Sequence, residues 1–320
     1  MANSHGLIIY LGNKPKILEK KLIMLYNFNM VNNSTQKNKL TLYDSSIFFD
    51  FLVLLMLIFS LIYGASTKNL DANSIFVKVC SYLCAPLSVV CATFLLSFKK
   101  KVNVVKFLLP KKSELITVVS MLLITFGMMF GLSELNNIFV SFLNNLGFTL
   151  GEITLPEKSL LNVTLVIIFV CILPAFFEEI AFRGIILGGL KNGGKIFAIL
   201  VSGVVFSLFH MSPLQTVYQF IVGVLYAIIV LNGGDYSLTF ISHLINNLFI
   251  VLNYYFIGFY PVGNLKIILT VFGLISLAIG LYLIMKNNKP YSQLESKKNY
   301  ISGVPIGIIV CVIMWVMGLM

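Results

Sequence analysis

The chain has 320 residues, of which 58% are hydrophobic and 11% charged, and its mean hydropathy is +0.94. A soluble domain carries roughly a quarter charged residues, so this chain lacks the polar surface to cover a water-soluble globule. Its net charge of +11 resides in lysines between apolar runs, where it sets topology and meets anionic headgroups; no nucleic-acid motif accompanies it.

Residues 1–45 are basic and Asn-rich. Leu7–Leu11 is too short for a signal-peptide core and no small-residue cleavage site follows, so the stretch is expected to be a cytoplasmic tail. Nine apolar segments follow, at about 47–64, 74–98, 113–132, 159–190, 196–212, 214–231, 236–257, 265–285 and 303–320. Most are long enough to span, since about 20 helical residues cross the hydrocarbon core. The fourth contains Pro174, which predicts a kink. Leu135–Leu146, after the third, is expected to lie flat on the membrane surface. The expected fold class is all-α, a polytopic transmembrane bundle of about nine spans in the cell membrane.

Lysine placement gives the orientation. With the N-terminus inside, the inner segments 1–45, 99–112, 191–195 and 286–298 hold 18 lysines, and the outer loops hold Lys68, Lys158 and Lys266. That bias predicts N-in topology. The five cysteines, Cys80, Cys84, Cys91, Cys171 and Cys311, lie in apolar runs without a Cys-x-x-Cys pair, so they read as buried apolar side chains.

Three polar clusters interrupt the apolar spans: Glu178-Glu179 with Arg183, Phe206 with His210, and His243 with Asn247. A charged group at mid-bilayer costs at least a few kcal/mol, so each needs an account. The chain has 22 lysines and a single arginine, Arg183, placed where a planar, permanent charge is of use. Glu179 and Arg183 are four residues apart and share a helix face. Glu178 is about 100° around the helix from Glu179, which leaves it free for chemistry. Glu178 and His210 each lie 16 residues from Gly194, so an antiparallel hairpin sets them at one depth. The turn at Asn232-Gly233-Gly234-Asp235 brings His243 and Asn247 to a similar depth.

A carboxylate, two imidazoles and an amide form a hydrolytic set. Glu178 with His210 can deprotonate a water for attack on a carbonyl. His243 and Asn247 can donate to the oxyanion. His-Glu-x-x-His is lacking, which excludes a conventional zincin, yet zinc held by Glu178, His210 and His243 stays chemically open. Plainer readings stand beside these. Glu179 with Arg183 is a structural pair, a lone His or Asn in a span is helix glue, Asn246 is glue on another face, and Phe206 is packing. Ser207 is expected to bond its own helix backbone, and Asp235 to be a turn residue.

Glu-Glu-x-x-x-Arg, Phe-x-x-x-His and His-x-x-x-Asn, in that order on successive membrane helices, resemble the CPBP (Abi) intramembrane proteases. That family includes CAAX prenyl endopeptidases and bacteriocin-processing or self-immunity proteins. The resemblance implies Glu178 and His210 as water activators, His243 and Asn247 as the oxyanion site, and support from Glu179 and Arg183. It leaves metalloprotease and metal-independent glutamic mechanisms both open. It further implies, as partners, membrane lipid and a peptide or lipidated protein substrate. The organisation expected is a tail at 1–45, accessory helices at 46–158, a catalytic core at 159–260 and C-terminal helices at 261–320. Two other readings compete: a non-catalytic scaffold or bacteriocin self-immunity protein, and a proton-coupled transporter, for which the paired broken helices are missing.

Overall fold

The computed structural model describes residues 40–71, 74–99, 113–148, 155–286, 294–303 and 305–319. The expected tail up to residue 39 and the basic loop at 100–112 lie outside the described residues. Those described form an all-helical bundle, with no strand among them. In chain order the helices are α1 (Leu42–Thr67), α2 (Ile75–Lys99), α3 (Leu115–Gly131) and α4 (Ser133–Asn145), followed by the long helix α5 (Leu160–Gly193). Then come α6 (Lys195–Phe209), α7 (Thr216–Leu231), α8 (Tyr236–Leu252), α9 (Gly263–Lys286), α10 (Lys298–Ile301) and α11 (Pro305–Met317).

Seven helical stretches are long and apolar enough to cross a membrane, and Lys195–Phe209 and Ile306–Met317 are shorter apolar helices. Together they account for the nine segments. All five cysteines are unbonded.

Several boundaries differ from expectation for local reasons. Helix α1 begins at Leu42, inside the expected tail, because Thr41 and Asp44 form a capping box. Asp44 Oδ2 accepts from Thr41 N at 2.8 Å while Thr41 Oγ1 accepts from Asp44 N at 3.1 Å. The fifth segment stops at Phe209 rather than 212, since Met211 turns left-handed and Pro213 denies Ser212 a helical conformation. Leu135–Leu146 is a separate helix, α4, broken from α3 at Leu132 and packed on α7.

Pro174 does not produce a simple kink. Residues Ile167–Ile172 form π-helical turns ahead of it, and Leu173 N–H bonds back to Ile168 O. A second π stretch, Ile180–Ile186, carries Arg183. Such insertions are rare and occur mostly at functional sites. Pro174 has no N–H to offer Val170 four residues earlier. The Val170 carbonyl accepts the Asn247 amide from α8 at 3.4 Å.

Described parts of three of the four segments expected on the inner side meet. Asn192 O accepts from Leu294 N and Glu295 N, and its side chain donates to Leu40 O and Glu295 Oε1. Lys195 Nζ donates to Asn232 Oδ1, which draws the α7–α8 turn to the same end. Asp50, buried in α1 and unremarked in the sequence, accepts from Gly307 N–H at 2.7 Å in the first turn of α11. An anion there complements the positive end of that helix.

Helices α3 and α9 cross closely over small residues. A Cβ on Gly127 would lie 2.6 Å from Leu277 Cβ and 2.8 Å from Gly273 O. Gly131 and Gly273 are in similar contact, and the four-residue spacing of Gly127 and Gly131 is the small-residue pattern of membrane helix pairs. Gly127→Ala is therefore expected to destabilise the protein by about 1–3 kcal/mol through overpacking. Gly64→Ala, where a Cβ meets nothing within 4 Å, stays at wild-type stability or slightly above it. Thermal unfolding of the two variants in detergent is the comparison.

Candidate active site

The antiparallel pair α5 and α6, joined at Gly194, brings the first two clusters together. Glu178 Oε2 lies 3.9 Å from His210 Nε2. Glu178 is buried, and that oxygen has no hydrogen-bond partner among the described residues. His210 caps the end of α6 instead of lying within it, and its Nδ1 is 2.8 Å from the Phe206 carbonyl one turn back. A carbonyl only accepts, so Nδ1 carries a proton, and in the neutral form of the ring Nε2 stands before Glu178 as an acceptor.

Glu179 faces the other way and is fully buried. Its Oε1 accepts from His243 Nδ1 at 3.2 Å. Its Oε2 sits 3.3 Å from Arg183 Nε, an ion contact without the alignment of a hydrogen bond. The guanidinium lies over two rings, with Arg183 Cζ 4.2 Å from the Phe206 ring centre and 5.0 Å from that of Tyr226. Phe206 also meets His210 and His243 edge to face, at centroid distances of 5.0 and 6.2 Å. One aromatic ring thus forms a wall common to both histidines and the arginine. Phe206 is more than the plain packing residue its sequence position suggested.

Helix α8 supplies the remaining groups. Asn247 donates to Val170 O, and Asn246 Nδ2 contacts Asn247 Oδ1 at 3.4 Å. Asn246 Oδ1 accepts from Tyr218 OH at 2.7 Å. Ser242, next to His243, is 2.6 Å from Thr125 Oγ1 of α3, which fixes the height of α8 from outside the cluster. The structure therefore joins Glu178 with His210, and Glu179 with Arg183 and His243, while Asn247 is held by Val170 and Asn246.

Sequence reasoning missed Tyr226, Tyr218 and Thr125. Hydroxyls scattered in apolar helices carry little pattern, and only the fold reveals which of them meet. It also misjudged Ser207, whose hydroxyl donates to Thr216 O at 2.8 Å across the α6–α7 turn and not to its own helix. Asp235 stands at the N-cap of α8, where its carboxylate accepts from Ser237 Oγ at 3.2 Å.

Zinc on Glu178, His210 and His243 finds no support in this geometry. Among the described residues no three His, Cys, Asp or Glu side chains are grouped to hold a metal ion. Both histidines hold Nδ1 on an acceptor, His243 on Glu179 and His210 on the Phe206 carbonyl, a contact that metal-ligating and metal-free histidines share.

Residues 160–249 match the family model of Rce1-like type II CAAX prenyl endopeptidases. The matched segment runs from the start of α5 into α8 and contains Glu178, Glu179, Arg183, Phe206, His210, His243 and Asn247. It supports a CAAX-type intramembrane endopeptidase in general, and that family implies protease activity on a peptide or prenylated protein substrate in the membrane. With seven spanning-length apolar helices, the chain is a multi-pass membrane protein. Neither curated proteins nor solved structures provide a match to it.

Removing one partner of a buried ion pair leaves an uncompensated charge, at about 3–5 kcal/mol. Arg183→Met is expected to destabilise by that order. Combining it with Glu179→Gln should recover part of the loss, because the stranded carboxylate is then gone. Unfolding temperatures of the two single variants and the double variant in detergent measure the coupling.

Proposed function

We propose that this protein is an intramembrane endopeptidase in which Glu178 and His210 activate a water, and His243 and Asn247 stabilise the oxyanion. The observation that carries the reading is the Phe206 carbonyl on His210 Nδ1. It makes Nε2 an acceptor 3.9 Å from a carboxylate oxygen, also an acceptor. Two acceptors at that separation cannot bond one another, but both can take a hydrogen from one water molecule. A water held by its two hydrogens keeps a lone pair for a scissile carbonyl, and either base can remove the proton as it attacks. The mechanism on this reading is that of a glutamic protease.

His243 reaches Glu179 through Nδ1, which orients the ring and leaves Nε2 for the substrate. Asn247 has two amide hydrogens; Val170 O takes one and the other is available to a developing oxyanion. Glu179 and Arg183 support the site by holding His243. The proposed substrate is a membrane-associated peptide: a lipidated or prenylated C-terminus, the leader of a secreted peptide, or a signalling pro-peptide. The catalytic core then corresponds to residues 159–260, flanked by accessory helices on either side.

The test is a peptide pool containing farnesylated peptides ending in Cys-aliphatic-aliphatic-X and unmodified leader-type peptides. It is incubated with purified protein in detergent, and products are read by mass spectrometry. Glu178→Gln and His210→Ala should each slow cleavage about 10²–10⁴-fold. His243→Ala and Asn247→Ala should slow it about 10²–10³-fold. Wild-type cleavage by Glu178→Gln would take the catalytic role from Glu178, whereas full rescue of a cellular phenotype by that variant would favour the scaffold reading. The rate should also fall on the acid side, because protonating His210 Nε2 removes one of the water's two acceptors. A pH series on the cleaved peptide checks this.

A further inference from the structure

The turn that follows His210 is secured from outside the family-matched segment. His210 is the last position before the chain leaves α6, and Met211 adopts φ +48°, a left-handed conformation that a residue with a side chain avoids. Such a conformation persists only where its surroundings over-determine it. Residues 213–218 show what does so. Asn136 of α4 donates through Nδ2 to Leu214 O at 2.7 Å and accepts through Oδ1 from Tyr218 N at 3.4 Å. Trp315 of α11 donates through Nε1 to Thr216 Oγ1 at 2.6 Å. Thr216 O in turn accepts from Ser207 Oγ at 2.8 Å, which closes the turn back onto α6 one turn before His210. A Cβ on Gly318 would lie 2.9 Å from Pro213 Cδ, so the C-terminal end of α11 lies close against the turn.

The same turn reaches the other catalytic arm. Tyr218 donates from its hydroxyl to Asn246 Oδ1 at 2.7 Å, and Asn246 contacts Asn247. Both the proposed water activator and the proposed oxyanion amide therefore take their placement from one short stretch of backbone.

We infer that Asn136 and Trp315 are positioning residues for this site: they hold the turn after His210 and so set where Nε2 points. Neither touches Glu178, His210 or a substrate. The inference rests on His210 being catalytic. It assigns a role in the reaction to α4 and α11, which carry no family motif.

Shape-conserving deletions test it. Trp315→Phe and Asn136→Leu remove the hydrogen bonds and keep most of the volume, whereas Ile313→Ala alters an exposed side chain of α11 and serves as control. The first readout needs no substrate. With ¹⁵N-labelled histidine the chain gives signals from only His5, His210 and His243, and His210→Gln assigns the second. The His210 ring signals and their titration should shift in Trp315→Phe and Asn136→Leu and stay put in Ile313→Ala. The second readout is turnover of a farnesylated Cys-aliphatic-aliphatic-X peptide. There kcat should fall about tenfold with KM little changed, the signature of a misplaced catalytic group. Should Trp315→Phe fail to fold, Thr216→Val removes the same bond from its other end.

His210 signals unmoved in both variants overturn the inference while leaving Glu178 and His210 in their proposed roles. Cleavage by Glu178→Gln at the wild-type rate overturns the catalytic reading and this inference with it.

Discussion

A permanent positive charge buried in an apolar bundle is the constraint around which the centre of this molecule is arranged. Arg183 is almost completely buried and cannot shed its proton, so the fold must supply a counter-charge and a polarisable lining. Glu179 supplies the first at 3.3 Å, and the faces of Phe206 and Tyr226 supply the second. Each of these partners comes from a different place: Glu179 from the same helix, Phe206 from α6, Tyr226 from α7. His243 joins from α8 through the other carboxylate oxygen. One guanidinium and its counter-charge thus tie together four helices. The apolar core alone would tolerate many registers, since lipid and leucine offer helices no directional preference.

Once Glu179 is committed to that structural task, its neighbour is left with another. Adjacent residues on a helix point about 100° apart, so Glu178 is turned out of the arginine's reach and toward α6. The two carboxylates acquire distinct roles from geometry alone: one neutralises a buried cation, the other faces an imidazole across a gap suited to a water.

This much of the site was legible in the sequence because it depends on helical spacing. Glu179 and Arg183, Phe206 and His210, and His243 and Asn247 are all four apart, and the equal distances of Glu178 and His210 from Gly194 put them at one level. The Glu179–Arg183 contact follows that arithmetic even though Arg183 lies in the π stretch that begins directly after Glu179. Other features were not legible, for physical reasons. The capping box that starts α1 at Leu42 is a local polar signal inside a stretch whose composition reads as tail. Asp50 looks like an isolated charge until α11 delivers a helix terminus to it. The partners of Asn136, Tyr218 and Trp315 are a backbone carbonyl, a side-chain amide and a hydroxyl 28 to 99 residues away, which no periodicity encodes. The pairing of His243 with Glu179 needed the rotation of α8, set in part by Thr125 and Ser242, which appear in no motif.

The two histidines illustrate how a backbone distinguishes chemically identical side chains. Both have Nδ1 engaged, but His210 donates to a carbonyl and His243 to a carboxylate. With Nδ1–H committed, the neutral ring of His210 offers a lone pair at Nε2, which suits a group that holds and deprotonates water. The same tautomer at His243 would offer a lone pair to an oxyanion, which is repulsive. An oxyanion donor at Nε2 of His243 therefore requires the imidazolium, and the shared carboxylate of Glu179 is what stands beside that charge. On the proposed reading, the negative charge of the attacked carbonyl develops beside groups that the fold already holds in place through Glu179 and Val170.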